Sequence, residues 1–344
     1  MKISFLVTYY QQEKYVRESM ESLLALEKPP EWEILIGDDG SSDGTAEAAR
    51  AYVRRDPEHI RLFVMDRDPG RKYNPVERAS RNRLNLLRHA AGDCYCLMDG
   101  DDFYSETDFI PQAIRVLESS PEVHAVAFDT WMYREGQPRK APRPGKDIPV
   151  PVRRKKYLRW QYTHAGACVF RNAITPERLE KLEKLGYFDD NDIMLNALNG
   201  GRLVWIHRPV YAYRQAEGSV YTSMRPEERA ALNLAGLAAC RQIMDPRWEE
   251  DVTARFATAV WMGWFLRNRP RPELAPHRYQ AYLDACCRMG FPEGERLMNY
   301  ASLDKKERRS LHRWVCHVGR LSPPRVLYGW LQVKAGGKKS EQTD

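Results

Sequence analysis

The sequence lacks the glycine-rich loops with which many nucleotide-binding proteins hold phosphate groups. No GxGxxG segment follows the first apolar run, and no GxxxxGK[ST] segment occurs in the 344 residues. The usual dinucleotide-binding and P-loop classes are therefore disfavoured, because both depend on that backbone. No internal repeat is visible.

The chain also lacks paired cysteines and long apolar runs. Its seven cysteines are odd in number and form no CxxC pair, so we expect reduced, buried thiols in a reducing compartment. No stretch approaches the length of a membrane-spanning helix. Because no charged segment followed by a long apolar run comes after Met1, we expect no signal peptide and a cytoplasmic location.

Positive charge is concentrated near the end of the chain. The formal net charge is +7, and residues 301–344 carry ten Lys or Arg against four Asp or Glu. Apolar residues at helical spacing predict two amphipathic helices over 305–334. These helices either pack on the domain or dock the protein peripherally to an anionic membrane surface. No nucleic-acid-binding motif accompanies the charge, so we expect no nucleic-acid partner.

Apolar strand patterns alternate with helical patterns through the first part of the chain. Continuous apolar runs lie at 3–8, 33–36, 60–65 and 94–98, each separated by residues at helical spacing. This alternation predicts an α/β fold with a parallel sheet covered on both faces. From about residue 225 the pattern is helical, which predicts a domain over 1–225 and a basic helical extension over 226–344.

An acidic cluster follows the apolar run that ends at Met98. Asp99, Asp101 and Asp102 fall within four residues, and such crowded carboxylates repel one another. A divalent cation, Mg²⁺ or Mn²⁺, would relieve that repulsion and suits oxygen ligands. A solvated acidic turn is the alternative, since Asp and Gly are common turn residues.

Further motifs precede this cluster along the chain. They are Val7-Thr8-Tyr9-Tyr10, DDGSSDGT over 38–45, Arg81-Asn82, and AAGDCY over 90–95. Together with the acidic cluster they resemble a family 2 glycosyltransferase with the GT-A fold. The resemblance implies a mixed, mostly parallel sheet, with a nucleotide-sugar half over 1–105 and an acceptor half over 106–225.

The resemblance also implies roles for individual residues. The set that would bind the nucleotide sugar is Thr8, Tyr10, Glu13, Asp39, Arg81 and Asp99. Within it, Asp39 would accept a hydrogen bond from the base, typically uracil, and Arg81 would lie near the nucleotide or its phosphates. Asp101 would bind the metal, and Asp102 would stabilise the loop or bind donor hydroxyls. For Asp38 and Asp43 we expect local turn capping.

The reaction needs a carboxylate that takes the proton of the acceptor hydroxyl. The family carries it at the start of a helix in the second half, and the match here gives Asp192 as the base, with Asp190 as the second choice. Helix capping is the alternative role of Asp192. Attack from the back side would invert the anomeric centre, as the family does.

The chain departs from the family pattern in two places, and one of them is Asn191, which stands where the family has an acidic partner before the base. The family often has Y-R-x-H near the metal or diphosphate, whereas this chain has Tyr213-Arg214-Gln215-Ala216. Metal binding would then depend on Asp101 and water alone.

His164 stands where related enzymes keep a polar residue near the acceptor, although a structural role is favoured. No Q-x-x-R-W segment follows, which favours transfer of a single sugar.

The expected function is an inverting, metal-dependent transfer from a nucleotide-diphosphate sugar, most simply a UDP-sugar. The acceptor would be a glycan or lipid-linked saccharide in cell-surface polysaccharide synthesis. One alternative is a sugar-phosphate nucleotidyltransferase, but residues 8–14 contain no glycine for its phosphate loop. The other is a non-catalytic nucleotide-sugar-binding relative. A homodimer is left open.

Overall fold

The computed structural model describes most of residues 1–215 and short stretches beyond them. The undescribed positions before 215 are 69, 71–72, 74, 136–146, 155–156, 158–162 and 187, and the described stretches after it are 244–248, 251–252, 304–307, 309–310 and 313. Backbone contacts divide the chain into two compact units. The first consists of Met1–Tyr157 and Tyr162–Ser219, and the second of Leu158–Gln161 and Val220–Asp344.

The first unit contains one sheet and its flanking helices. The strands are β1 (Ile3–Tyr9), β2 (Trp32–Asp38), β3 (Ile60–Val64), β4 (Cys94–Asp99), β5 (Phe103–Tyr104), β6 (Val123–Tyr133), β7 (Val150–Val152), β8 (Cys168–Arg171) and β9 (Arg202–Arg214). The α-helices among the described residues are α1 (Glu13–Leu24), α2 (Thr45–Arg55), α3 (Pro75–His89), α4 (Phe109–Ser119), α5 (Pro176–Leu185) and α6 (Asp190–Gly200).

The sheet has nine strands in the order β3-β2-β1-β4-β8-β6-β9-β5, and β7 pairs with β9 off this path. Strands β1 to β4, β6 and β9 run in one direction, and β5, β7 and β8 run against them. Strands β1, β2 and β4 are buried along almost their whole length, as expected where both faces are covered. The predicted α/β fold with a mixed, mostly parallel sheet is confirmed.

The register brings the ends of three strands together. Tyr9 of β1 lies beside Asp38 of β2, and Thr8 of β1 lies beside Asp99 of β4. The DDGSSDGT segment and the acidic cluster therefore follow their strands at the same end of the sheet, the carboxyl ends of β1, β2 and β4. In open α/β sheets the carboxyl ends of the strands are where ligands bind.

Local sequence signals account for the helix ends. At α5 the hydroxyl of Thr175 accepts a hydrogen bond from the backbone N–H of Arg178, and Pro176 fills the first turn. Gly186 ends the helix in the left-handed conformation, with φ of 69°. The Thr-Pro pair and the glycine predict a helix over 174–185, and the structure has it at Pro176–Leu185.

Strand β9 is longer than its sequence predicts. The sequence predicts a strand over 202–206, followed by the segment 210–214. The structure has one strand of 13 residues, because its pairing with β6 continues past Pro209 through register shifts at Asp129, where β9 carries the extra residues. The unbroken strand brings the end of β9 close to the acidic cluster that follows β4.

The predictions for the end of the chain remain predictions. The helices over 305–334, the extension over 226–344 and four of the seven cysteines lie wholly or mostly outside the described residues. Cys94, Cys96 and Cys168 are free and buried. Within the described part of the chain, every helix is too short or too polar to cross a membrane.

A buried carboxylate ties the strands together at the end opposite the site. Glu33 of β2 accepts hydrogen bonds of 2.7 Å from the Ser4 hydroxyl of β1, from Arg61 of β3 and from the backbone N–H of Ala91 before β4. Burial alone would raise the pKa of Glu33, but these hydrogen bonds outweigh it and lower the pKa. Glu33 therefore contributes most to stability when it is ionised.

Replacing Glu33 with Gln should lower the free energy of unfolding at neutral pH by about 1–3 kcal/mol, because buried donors lose their charged acceptor. A carboxyl with a lowered pKa in the folded state stabilises the fold above its unfolded pKa, and this stabilisation is lost as pH falls through the folded value. The gap between wild type and Glu33→Gln should therefore shrink below about pH 4.

Urea unfolding at neutral and acidic pH measures this gap. Glu31→Gln, an exposed neighbour, is the matched control and should leave stability nearly unchanged. A gap for Glu33→Gln that stays constant through acid would contradict the assignment of Glu33 as an ionised anchor.

Candidate active site

The acidic turn after β4 is held against β9. Asp102 is buried, and its two carboxylate oxygens accept hydrogen bonds of 2.7 Å from the Tyr211 hydroxyl and from the backbone N–H of Arg214. The Arg214 side chain donates to the Asp101 carbonyl at 2.6 Å. Asp102 thus has the loop-stabilising role that was one of its two expected roles.

Close packing beneath the turn requires a residue without a side chain. A Cβ on Gly100 would lie 2.1 Å from the ring of Tyr9, and the Gly100 N–H donates to the Thr8 carbonyl at 2.9 Å. The turn therefore follows the end of β1 closely.

The carboxylates of the turn have different electrostatic surroundings. Burial would raise the pKa of Asp99, but the charge and hydrogen bond of Arg83, whose Nη2 lies 2.6 Å from Asp99, lower it. Burial and then the charge of Asp99 raise the pKa of Asp101 to about 6. Burial and the charges of Asp101 and Asp99 raise the pKa of Asp102 well above its usual range.

Helix α3 presents a different arginine to the turn than the motif suggested. Arg81 is 56% exposed and pairs with Glu77 one turn earlier, while Arg83 contacts Asp99. The neighbouring Asn82 is buried and donates to the Gly37 carbonyl at 3.0 Å, which fixes α3 against β2. Among the described contacts, Arg81 is therefore not brought together with the acidic turn, and its expected role near the phosphates remains a prediction.

A second part of the site surrounds Asp39 at the end of β2. Asp39 is buried, and its carboxylate pairs with Arg67 at 2.8 Å and with Arg78. Arg67 also donates to the Tyr10 hydroxyl at 2.8 Å, and its guanidinium carbon lies 4.0 Å from the centre of the Tyr10 ring. Neither arginine was foreseen, because each belongs to an unrelated segment of the sequence.

The other residues that were predicted to bind the nucleotide sugar lie at the same end of the sheet. Thr8 lies beside Asp99 in the sheet and helps to lower the pKa of that carboxyl, and Glu13 accepts a hydrogen bond from the Gly44 N–H at 3.1 Å. Asp38 accepts from the Ser41 N–H, and Asp43 from the Thr45 N–H, both at 3.0 Å. The expected turn-capping roles of Asp38 and Asp43 are confirmed.

Two aspartates at the start of α6 have distinct environments. The backbone N–H of Asp192 donates to the Asp189 carboxylate, and the N–H of Asp189 donates to the Asp192 carboxylate, both at 3.3 Å. This reciprocal pattern is a capping box, and Asp192 is 1% exposed within it. The Asp190 side chain is 26% exposed, and its carboxylate lies 3.8 Å from His164 Nε2. The capping alternative for Asp192 therefore gains support.

The donor set near the turn fits a hard divalent cation. One ligand atom each from Asp99, Asp102 and His164 lie within 4.8 Å of one another. In this group Asp102 already accepts two hydrogen bonds, and His164 Nδ1 accepts one from the Gly166 N–H. The half-buried Asp101 and its neighbour Asp99 supply the oxygens that suit Mg²⁺ or Mn²⁺.

Fold and site define an α/β protein of the GT-A type, with acidic side chains at the strand ends and at the start of α6. The model of the family described as "Glycosyl transferase family 2" matches residues 4–182, just over half of the 344 residues. The chain therefore belongs to glycosyl transferase family 2.

Solved structures and curated relatives agree with that family. The crystal structure of S. aureus TarS 1–349 in complex with UDP-GlcNAc shares the fold, with a TM-score of 0.61 and 17% identity over 99% of this chain and 92% of that chain. EpsE of Bacillus subtilis (strain 168), provisionally named a glycosyltransferase, is 35% identical over 101 residues, which are 29% of this chain and 33% of EpsE.

TuaG of the same organism, provisionally named a teichuronic acid biosynthesis glycosyltransferase, is 26% identical over 136 residues, or 40% of this chain and 50% of TuaG. The matched stretch thus spans a third to a half of these curated relatives.

Two arginines on one helix give a test of the site's electrostatics. Arg83→Met should lower the free energy of unfolding by about 1–3 kcal/mol, because it leaves the carboxylate of Asp99 without its charged hydrogen-bond donor. Arg81→Met removes an exposed pair and should cost less than about 1 kcal/mol. Urea unfolding of both variants measures the difference, and equal losses would contradict the assignment of Arg83 as the partner of Asp99.

Proposed function

We propose that this protein is an inverting, metal-dependent glycosyltransferase that uses a nucleotide-diphosphate sugar, most simply a UDP-sugar. One observation carries the proposal: the Asp99 end of β4 and the Asp190 end of α6 both approach the imidazole of His164. A cation-binding turn and a carboxylate base are thereby available to one substrate.

The nucleotide is proposed to bind along the ends of β1 and β2. Asp39, Tyr10 and Thr8 offer hydrogen-bonding groups and an aromatic face there, and Arg67 and Arg78 add positive charge. S. aureus TarS, which shares the fold, was crystallised with UDP and with UDP-GlcNAc. These features support a UDP-sugar as the donor.

We propose Asp190 rather than Asp192 as the base. Asp192 is buried in a capping box, whereas Asp190 is partly exposed at the site. Asp190 would take the proton of the acceptor hydroxyl while that oxygen bonds to the anomeric carbon and the bond from this carbon to the phosphate oxygen breaks. The nucleoside diphosphate leaves with its electron pair, and attack from the opposite face inverts the configuration.

A divalent cation held by Asp101 with Asp99 would neutralise charge on the departing diphosphate. Arg83 keeps Asp99 ionised beside that position, and Asp102 holds the turn to β9. The acceptor is proposed to be a glycan or lipid-linked saccharide for a cell-surface polymer, in keeping with the name of TuaG. Docking through 305–334 to a cytoplasmic membrane face is the proposed setting.

Nucleotide binding tests the donor site directly. Calorimetric titration of UDP, GDP and dTDP, each with and without Mn²⁺, should show metal-dependent binding of one of them, and Asp101→Ala should weaken it by at least about tenfold, or about 1.4 kcal/mol. Asp56 precedes β3 and lies at the opposite end of the sheet, so Asp56→Ala should leave binding unchanged. If none of the three nucleotides binds under either condition, the transferase proposal fails in favour of a non-catalytic relative.

Paired amide substitutions test the base. Asp190→Asn should reduce sugar transfer by about 10²- to 10⁴-fold without weakening nucleotide binding, because an amide cannot take the proton. Asp192→Asn should keep most of the activity, since Asn also accepts hydrogen bonds at helix starts. Release of UDP from UDP-GlcNAc with Mn²⁺ gives the rates, and the reverse pattern would restore Asp192 as the base.

A further inference from the structure

We propose that His164 is a positioning residue that orients the carboxylate of Asp190 through its Nε2–H group. This inference rests on the proposed function, in which Asp190 is the base. It assigns His164 a task that is neither metal binding nor proton acceptance.

The imidazole of His164 is held rigidly between two aromatic side chains. Its ring stacks on Tyr211 with centroids 5.0 Å apart and lies 4.9 Å from the ring of Tyr213. Its side chain is only 10% exposed. Both tyrosines belong to β9, the strand that also anchors Asp102, so the ring has a fixed position relative to the acidic turn.

A backbone hydrogen bond fixes the tautomer of His164. The Gly166 N–H donates to His164 Nδ1 at 3.1 Å, within the short 3₁₀ turn Ala165–Ala167. A nitrogen that accepts a hydrogen bond carries no proton, so the neutral ring carries its proton on Nε2. A Cβ on Gly166 would lie 2.2 Å from the Tyr211 ring, which keeps this turn tightly against β9.

The protonated nitrogen faces the start of α6. His164 Nε2 lies 3.8 Å from the nearer carboxylate oxygen of Asp190. Catalytic hydrogen bonds are often long before the substrate binds and tighten in the complex. A protonated Nε2 cannot ligate a metal or accept a proton, but it can donate to Asp190 and so fix the direction in which that carboxylate meets the acceptor hydroxyl.

A positioning role differs from the two other roles that the geometry could suggest. If His164 were a metal ligand with Asp99 and Asp102, its loss would weaken Mn²⁺-dependent nucleotide binding. If it were only a packing residue, an apolar side chain of similar size could replace it without loss of activity. A positioning residue instead affects turnover and depends on a donor at the position of Nε2.

Three substitutions separate these roles. His164→Leu keeps bulk without a donor, and His164→Gln keeps an amide N–H near the position of Nε2. His207→Gln is the matched control, because His207 makes a similar contact with Asp129, 3.3 Å, on a half-exposed part of β9. The readouts are UDP release from UDP-GlcNAc with Mn²⁺, UDP titration, and nitrogen-15 NMR of the histidine rings.

For His164→Leu we expect kcat to fall about 10- to 100-fold, as for other supporting residues, with the donor KM and UDP binding within about twofold. His164→Gln should recover most of the rate, and His207→Gln should match wild type. Adding His164→Leu to Asp190→Asn should cause little further loss, because the two residues act as a unit. The NMR spectrum should show His164 protonated at Nε2.

The inference is overturned if His164→Leu keeps its kcat, if Gln gives no recovery, if UDP binding with Mn²⁺ weakens instead, or if Nε2 is the unprotonated nitrogen. An inactive wild type, or a fully active Asp190→Asn, would instead contradict the proposed function. The tautomer measurement needs no activity and decides the orientation of His164 in either case.

Discussion

The buried carboxylate of Asp102 is the contact on which the arrangement of the site depends. Taking a carboxylate out of water is costly unless its oxygens find donors. Asp102 finds them at the Tyr211 hydroxyl and the Arg214 backbone, more than a hundred residues later in the chain. This bond joins the acidic turn of β4 to the far strand β9. The two residues of β9 at this junction make further contacts, since the Arg214 side chain donates to the Asp101 carbonyl and the Tyr211 ring stacks on His164.

Around this junction, site carboxylates are matched by arginines from other segments. Arg83 accompanies Asp99, and Arg67 and Arg78 accompany Asp39. The Arg83 charge lowers the pKa of Asp99 despite its burial. At both sites the arginines hold the carboxylate in place, at the cost of desolvating both partners. The two arginines thus place positive charge directly beside Asp39 at the carboxyl end of β2.

At the start of α6, the two aspartates Asp190 and Asp192 have different surroundings. Asp192 caps the helix together with Asp189, which removes its carboxylate from the site. Asp190, two residues earlier, lies on another side of the same turn and faces His164. Both are aspartates and both can cap or accept protons, so a motif match alone could not separate them. Side-chain direction within the helical turn separates them.

The sequence by itself determined most of the strands and helices and the end of the sheet at which the site forms. Apolar runs, Thr-Pro and Gly helix signals, and acidic residues at strand ends are local features, and a parallel sheet brings those ends together. Tertiary structure alone decided that Arg83 rather than Arg81 meets Asp99, that β9 runs unbroken past Pro209, and that Nε2 of His164 faces Asp190. These outcomes depend on contacts between residues far apart in the chain, which packing sets and local pattern does not encode.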